Sequence, residues 1–333
     1  MSLPSKFRAV VVDGQNGKFK IEERELKAPE PGHVIVQVKA SGVCHSDSFA
    51  GDGMIPGHEI AGVIAAVHDS EKNWKVGDRV GSGWHGSHCF QCASCRSGDF
   101  GTCANETING VSRLGGHAEY VDLCVEALTH IPDDMSFVQA GPLHCAGVTV
   151  FNSMRNVKNL HPGDSVLVSG LGGLGHLACQ IARQMGFYTV VTSRGTAKKD
   201  LAMKLGANLY IDSEAQDLVK ETEKVGGIKC AVATAPAKKA IEALIPTLKA
   251  DGTLLFIAPP EQDVAIPAMA MISKRLAVQG WPSGTAKHSE ETLTFAQHAN
   301  IKVMTEEYKL DQFQEAYDSM VNGKARFRSV IVF

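Results

Sequence analysis

The chain has 333 residues, 44% of them apolar and 21% charged, and a net charge of −3. That is long enough for a large core and two domains, in the composition range of ordinary globular proteins. The weak charge gives no reason to expect nucleic acid or an anionic membrane as partner, and no apolar run nears the roughly 20 residues that span a bilayer.

In chain order, residues 7–12, 34–38 and 61–67 are short apolar or alternating runs. Turn chemistry bounds them at Asp13-Gly14, Pro29–Gly32 and Gly77-Asp78. No long helical period appears before about Val138, so this part is expected to be β-rich. The opening Met-Ser-Leu-Pro-Ser-Lys-Phe-Arg lacks the apolar core of a signal peptide. Nine cysteines without such a signal point to a reducing compartment, the cytoplasm, where thiols serve metals better than disulfides.

Four of those cysteines, Cys89, Cys92, Cys95 and Cys103, fall in one tight cluster. Two-residue gaps let neighbouring thiolates converge on one ion, and four of them close a tetrahedron. The expectation is a structural zinc site with no open position for substrate; the alternative is disulfides or unrelated buried thiols.

The texture then changes. Ser165–Ser169 is a compact strand, followed by Gly170-Leu171-Gly172-Gly173-Leu174-Gly175. Leu174, Leu177, Ala178, Ile181, Ala182 and Met185 lie on one face of the helix that follows, and Gly186 ends it. Further strands are expected at 189–191, 209–211, 230–233, 253–257 and 276–279, with a helix at 198–205. After Gly284 the chain reads as helix over 290–299 and 311–322, then strand over 328–333. Alternating elements of this size make a doubly wound parallel sheet, so the fold class is α/β with a β-rich first domain.

The glycines sit where a dinucleotide fingerprint needs them, after a strand and opening a helix. They permit a tight turn and close approach to a pyrophosphate, and the helix start offers amides and partial positive charge. An NAD site usually ends its second strand with an acid for the ribose hydroxyls. Here that strand runs into Ser193, Arg194 and Gly195, with Lys198 and Lys199 beyond. A hydroxyl and a planar cation suit a 2′-phosphate, so NADP is favoured over NAD; the alternative is a solvated basic face.

Cys44, His58 and Cys145 offer two thiolates and an imidazole, a catalytic zinc set that leaves a position for substrate. They are remote in sequence, and singly each has a bland reading as a buried thiol or a satisfied histidine.

At this point the sequence resembles the zinc-dependent alcohol dehydrogenases of the medium-chain dehydrogenase/reductase family. The resemblance rests on Gly-Val-Cys-His-Ser-Asp (42–47), Pro-Gly-His-Glu (56–59), Gly-Asp-Arg-Val-Gly (77–81), the four-cysteine lobe, Gly-Pro-Leu-x-Cys-Ala-Gly (141–147), the glycine loop and Gly-Lys-Ala-Arg-Phe-Arg (323–328). It implies a GroES-like catalytic domain over 1–147 and 284–333, a Rossmann domain over 148–283, and an active site in the cleft between them. It implies two zinc ions per chain, the catalytic one on Cys44, His58 and Cys145 with Glu59 as an occasional ligand. Ser46 would pass the substrate proton outward, and Asp47 would accept from the His58 ring, as carboxylates commonly do for ligating imidazoles. Thr149 would lie near the nicotinamide, His45 and Arg328 at the pyrophosphate, and Trp84 in the substrate pocket. A homodimer or homotetramer is implied as well.

Two departures stand out. Phe49 occupies the position where relatives commonly end the proton relay with a histidine. Only thirteen residues separate Cys44 from His58, fewer than in relatives, which removes pocket wall and admits bulky or aromatic carbonyls. The expected activity is reversible hydride transfer between a primary or secondary alcohol and NAD(P), with an aldehyde or ketone as product. The rivals are a zinc-independent enone or quinone reductase of the same fold and a non-enzymatic zinc and nucleotide sensor.

Overall fold

The computed structural model describes residues 3–14 and 17–333; the Met1 and Ser2 that open the expected catalytic domain lie outside them. Two compact units form. One runs to Val148 and resumes over Ser283–Phe333; the other is Thr149–Pro282.

The first unit is built from strands β1 (Lys6–Val12), β2 (Phe19–Glu25), β3 (His33–Gly42), β4 (Ile60–Val67), β5 (Arg79–Ser82), β6 (His85–Ser87), β7 (Thr107–Ile108), β8 (Tyr120–Cys124) and β9 (Thr129–His130). The inserted unit carries β10 (Ser165–Ser169), β11 (Tyr188–Ser193), β12 (Leu209–Asp212), β13 (Ile228–Ala233), β14 (Leu248–Phe256) and β15 (Ala277–Gly280). The chain then returns to the first unit with β16 (Thr305–Lys309) and β17 (Arg328–Val332).

In the first unit β3 is the hub. It pairs antiparallel with β4, β8 and β17, and the sheet runs β16-β17-β3-β4-β5-β9. Val34, Val36 and Val38 recur at the strand period and pack with Ile60, Ile64, Val80 and Leu123. Strand β2, absent from the sequence reading, has only two apolar residues among seven. It exists because β1 pairs with it in register from Lys6↔Glu25 to Val12↔Phe19. Ser136 caps the helix Phe137–Pro142 by accepting from the Gln139 amide at 3.2 Å, which places the first helical period where the sequence put it.

The second unit is a parallel sheet in the order β12-β11-β10-β13-β14-β15. All five residues of β10 and all six of β13 are buried, so neither strand shows the alternation of a half-buried one. The order reverses direction between β10 and β13, and ligands of such sheets bind outside the strand ends at that switch point. The glycine loop leaves the end of β10 there. Thr234, after β13, donates to the Ser169 and Gly170 carbonyls at 2.6 and 3.1 Å and pins the loop. Among the described residues no helix is long and apolar enough to cross a membrane.

Two glycines of that loop have opposite surroundings. A Cβ on Gly175 would stand 1.9 Å from the Gly170 carbonyl oxygen, whereas one on Gly172 would meet nothing within 4 Å. Gly175→Ala is therefore expected to lower stability by about 1–3 kcal/mol. Gly172→Ala should leave the unfolding midpoint in place while weakening dinucleotide binding. Denaturant melts paired with a cofactor titration check both.

Candidate active site

Three segments of the first unit deliver four side chains with metal-ligating chemistry to one point. Cys44 follows the end of β3 and opens the short turn His45–Phe49, where its amide donates to Asp47 Oδ2 at 2.8 Å. His58 and Glu59 lead into β4 from a turn at Gly57, whose φ is +108°. A Cβ there would lie 2.8 Å from the His117 backbone nitrogen, so glycine is required for position and for space. Cys145 lies on a π-helical turn, Leu143–Gly147, between the helices Phe137–Pro142 and Val148–Arg155. Such widened turns recur at functional sites. His144 anchors this one. Its Nδ1 donates to the Ala140 carbonyl at 2.8 Å and its Nε2 lies 2.5 Å from Thr129 Oγ1. Burial pushes the His144 pKa down to about 4, so the ring is neutral.

The ligand atoms of Cys44, His58, Glu59 and Cys145 all lie within 4.8 Å of one another. The two sulfurs are 4.0 Å apart. A tetrahedral zinc with bonds of about 2.3 Å holds sulfurs about 3.8 Å apart. His58 Nδ1 faces Asp47 Oδ1 at 3.4 Å. Both ring nitrogens of His58, Asp47 Oδ1 and Glu59 Oε2 are buried with no hydrogen-bond partner among the described residues. Such orphaned groups are costly unless something coordinates them. The donor set and its unused lone pairs fit zinc.

The electrostatics agree. The hydrogen bond from Cys145 holds the Cys44 thiol well below its usual range, with His58 and Arg328 adding to this against the opposing effect of burial, and Cys145 is raised in turn. Burial opposes a charged His58, but Cys44, Asp47 and Glu59 together raise it to about 9. Burial pushes Glu59 up to about 8 against the pull of Arg328. Arg328, expected at a pyrophosphate, is itself buried, donates to Glu59 Oε1, and reaches the Val43 carbonyl at 3.2 Å.

The second cluster is the four-cysteine lobe. The Cys89, Cys92, Cys95 and Cys103 sulfurs also lie within 4.8 Å of one another, with Cys89–Cys103 at 3.6 Å and Cys92–Cys103 at 3.9 Å. All are free thiols, so the disulfide alternative is not realised. Asn105 donates to Cys89 and, with backbone amides, lowers its thiol to about 6; burial raises Cys95 to about 12. Cys179 and Cys230 are buried in the second unit and raised to about 12 by that burial.

Of the remaining expected residues, His45 is exposed and Ser46 half-buried on the turn after Cys44. Trp84 stands edge-on to the His58 ring at 5.0 Å, and Phe49 meets Trp84 at 6.3 Å, so the two aromatics flank the cluster. Thr149 is buried near the start of the helix Val148–Arg155. In the second unit Gly170 adopts φ +101°, and Gly173 and Leu174 complete the turn into the helix Gly175–Gln184. Ser193 ends β11, Arg194 is exposed beyond it, and Lys198 donates to the Leu171 carbonyl of the glycine loop at 2.9 Å. The neighbouring carboxylate, Asp212, is occupied by the Gly195 and Glu214 amides.

Sequence reasoning passed over two histidines. His144 is adjacent to Cys145, which was its one signal. His117 had none, and yet it binds Asp47 Oδ2 at 3.0 Å from a fully buried position.

The chain matches the family models described as "Alcohol dehydrogenase GroES-like domain" over residues 30–133 and "Zinc-binding dehydrogenase" over residues 173–298. It is 42% identical to alcohol dehydrogenase patD of Penicillium expansum, over 98% of each chain. It belongs to the zinc-dependent alcohol dehydrogenases. Among solved structures, this dehydrogenase is similar to cinnamyl alcohol dehydrogenase SbCAD4 from Sorghum bicolor, with a TM-score of 0.90 and 25% identity over 98% of this chain and 97% of that one. It is also similar to CAD from Helicobacter pylori complexed with NADP(H), with a TM-score of 0.87 and 25% identity over 98% of both. The alcohol dehydrogenase is thus an NAD(P)-dependent oxidoreductase that interconverts small alcohols with aldehydes or ketones, and zinc and a nicotinamide are its cofactors.

The Glu59–Arg328 pair generates a stability prediction. Removing one partner of a buried ion pair leaves an uncompensated charge, at a cost of about 3–5 kcal/mol. Arg328→Met should destabilise the protein by that order in urea melts, and Glu59→Gln combined with Arg328→Met should recover most of the loss.

Proposed function

We propose that this alcohol dehydrogenase prefers NADP and acts on aromatic or otherwise bulky aldehydes and their alcohols. The observation that carries the cofactor reading is the end of β11. No acid stands there, Ser193 and the exposed Arg194 do, and the nearby Asp212 carboxylate is already engaged by two backbone amides. A 2′-phosphate meets a cation rather than a carboxylate at this point. Lys198, bonded to the glycine loop, adds positive charge close by.

In this reading Cys44, His58 and Cys145 hold one zinc, with Glu59 as an alternative ligand, and Cys89, Cys92, Cys95 and Cys103 hold a second. When bound, the catalytic zinc supplies a Lewis acid to the substrate oxygen and the nicotinamide gives or takes the hydride. Asp47 Oδ1 faces His58 Nδ1 at 3.4 Å and its charge favours that orientation of the ring. Ser46 takes the alcohol proton. Phe49 has no group to carry it further, so the relay leaves through the cofactor ribose or water. Phe49 and Trp84 supply flat apolar wall, which favours aromatic carbonyls. His45, Thr149 and Arg328 are the further cofactor contacts.

Residues 1–147 with 284–333 serve as the catalytic domain and 148–283 as the Rossmann domain, a reading supported by the division at Val148 and Ser283. A homodimer or homotetramer is supported by the edge strand β15, with Val278 exposed on it and Met269 and Ile272 exposed on the preceding helix Ala268–Lys274. Nine free thiols support a reducing location, the cytoplasm. A zinc-independent enone or quinone reductase has no use for the four donors gathered at Cys44.

The deciding measurement is the ratio of kcat/KM with NADPH and NADH, using an aromatic aldehyde. A strong NADPH preference is expected; an NADH preference overturns the cofactor reading. Arg194→Ala should raise the KM for NADPH roughly tenfold or more while leaving that for NADH within about twofold. Cys44→Ser should lose one of two zinc ions per chain, by elemental analysis, together with turnover.

A further inference from the structure

We propose that His117 is a positioning residue for the catalytic metal: it fixes the Asp47 carboxylate, which in turn fixes the ring of His58. The inference rests on the reading of Cys44, His58 and Cys145 as zinc ligands.

The geometry is a single line of buried groups. Ser41 Oγ lies 2.8 Å from His117 Nδ1, His117 Nε2 lies 3.0 Å from Asp47 Oδ2, and Asp47 Oδ1 faces His58 Nδ1 at 3.4 Å. Ser41, Asp47, His58 and His117 are each 1% exposed or less. A carboxylate only accepts, so His117 Nε2 carries a proton. In a neutral ring Nδ1 then accepts from the Ser41 hydroxyl, and one tautomer satisfies Ser41, both ring nitrogens of His117 and Asp47 Oδ2.

What His117 adds is a second anchor. Asp47 Oδ2 also accepts from the Cys44 amide at 2.8 Å. A carboxylate held by one backbone amide alone can swing about that bond. Held from two directions on Oδ2, it presents Oδ1 to His58 Nδ1 at 3.4 Å, and neither of those two atoms has a hydrogen-bond partner among the described residues. His58 therefore keeps Nδ1 toward Asp47 and Nε2 free for a metal.

His117 is well placed to act as a fixed post. Its ring packs against Phe313, with centroids 4.6 Å apart. Its own backbone clamps the segment that carries His58: the Gly115 amide donates to Ile55, Gly116 to Gly57 and His117 to Pro56, at 2.8, 3.0 and 3.0 Å. The serine, imidazole and carboxylate in line have the order of a hydrolase triad, but no substrate can reach a hydroxyl this buried. Their output is directional and points at the metal ligand.

The test uses the intact holoprotein with both zinc ions loaded and follows their transfer to a chelating dye, 4-(2-pyridylazo)resorcinol. Zinc from the four-cysteine lobe is the internal reference, and Cys44→Ser identifies the catalytic phase by abolishing it. His117→Phe keeps the packing and removes both hydrogen bonds. It should release the catalytic zinc roughly 10–100-fold faster while the lobe zinc leaves at the wild-type rate. His117→Gln, which can donate to Asp47 again, should return the rate to within about threefold of wild type, taking an amide donor to replace most of one hydrogen bond. Ser41→Ala, a smaller change, should speed the catalytic phase in the same direction and decides the matter if His117→Phe does not fold. Equal acceleration of both phases, or no acceleration, overturns the role of His117. If Cys44→Ser retains both zinc ions, the ligand reading falls and takes this inference with it; if it loses one zinc while the His117 and Ser41 variants keep wild-type rates, the inference alone falls.

Discussion

Charge buried beside a β-sheet must be matched group by group, and the first unit of this protein is organised around doing so. Asp47, His58, Glu59 and Arg328 are all almost wholly excluded from water, and two thiols adjoin them. An unpaired ion in such a place costs several kcal/mol. Arg328 answers Glu59, His117 and the Cys44 amide answer Asp47, and Asp47 answers His58. The lone pairs left over converge on one point, a donor set that fits a divalent cation. Strand β3 makes this possible because it pairs with both β4 and β17 and so brings residues 44, 59 and 328 to adjacent strand ends.

The second unit solves a different problem with backbone instead of side chains. Its central strands β10 and β13 are buried on both faces, which leaves only their ends for chemistry. There the glycine loop turns back on itself so tightly that Gly175 has no room for a methyl group, while Gly172 opens to free space. The same few residues thus combine close packing underneath with an open approach for a phosphate above.

How much of this the sequence discloses depends on how local each feature is. Strand β10, the glycine loop and the helix after it are contiguous, and their reading agrees with the structure to within a residue or so. The four-cysteine lobe is similarly compact. Strand β2 was not visible because five of its seven residues are charged and its partner, not its own pattern, makes it a strand. Cys44, His58 and Cys145 share no periodicity; only resemblance to a family joined them before the fold did. His117 stayed hidden because its importance lies in a contact with Asp47, seventy positions away in the chain. Arg328 was legible as a site residue, but its bond to Glu59 follows from the pairing of β17 with β3, which no local pattern encodes.

That pairing also governs the order in which the protein can assemble. Strand β17 lies inside its sheet, between β16 and β3, and not at an edge. A ribosome releases β3, β4 and the turns that carry Cys44 and His58 long before residues 328–332. The inserted unit, in contrast, is a continuous stretch from Thr149 to Pro282 with every strand of its sheet in hand. The guest can close while its host still waits for two strands, β16 and β17. During synthesis, then, Glu59 waits for its partner Arg328, and the cluster of Cys44, His58, Glu59 and Cys145 is among the last parts of the molecule to be sealed.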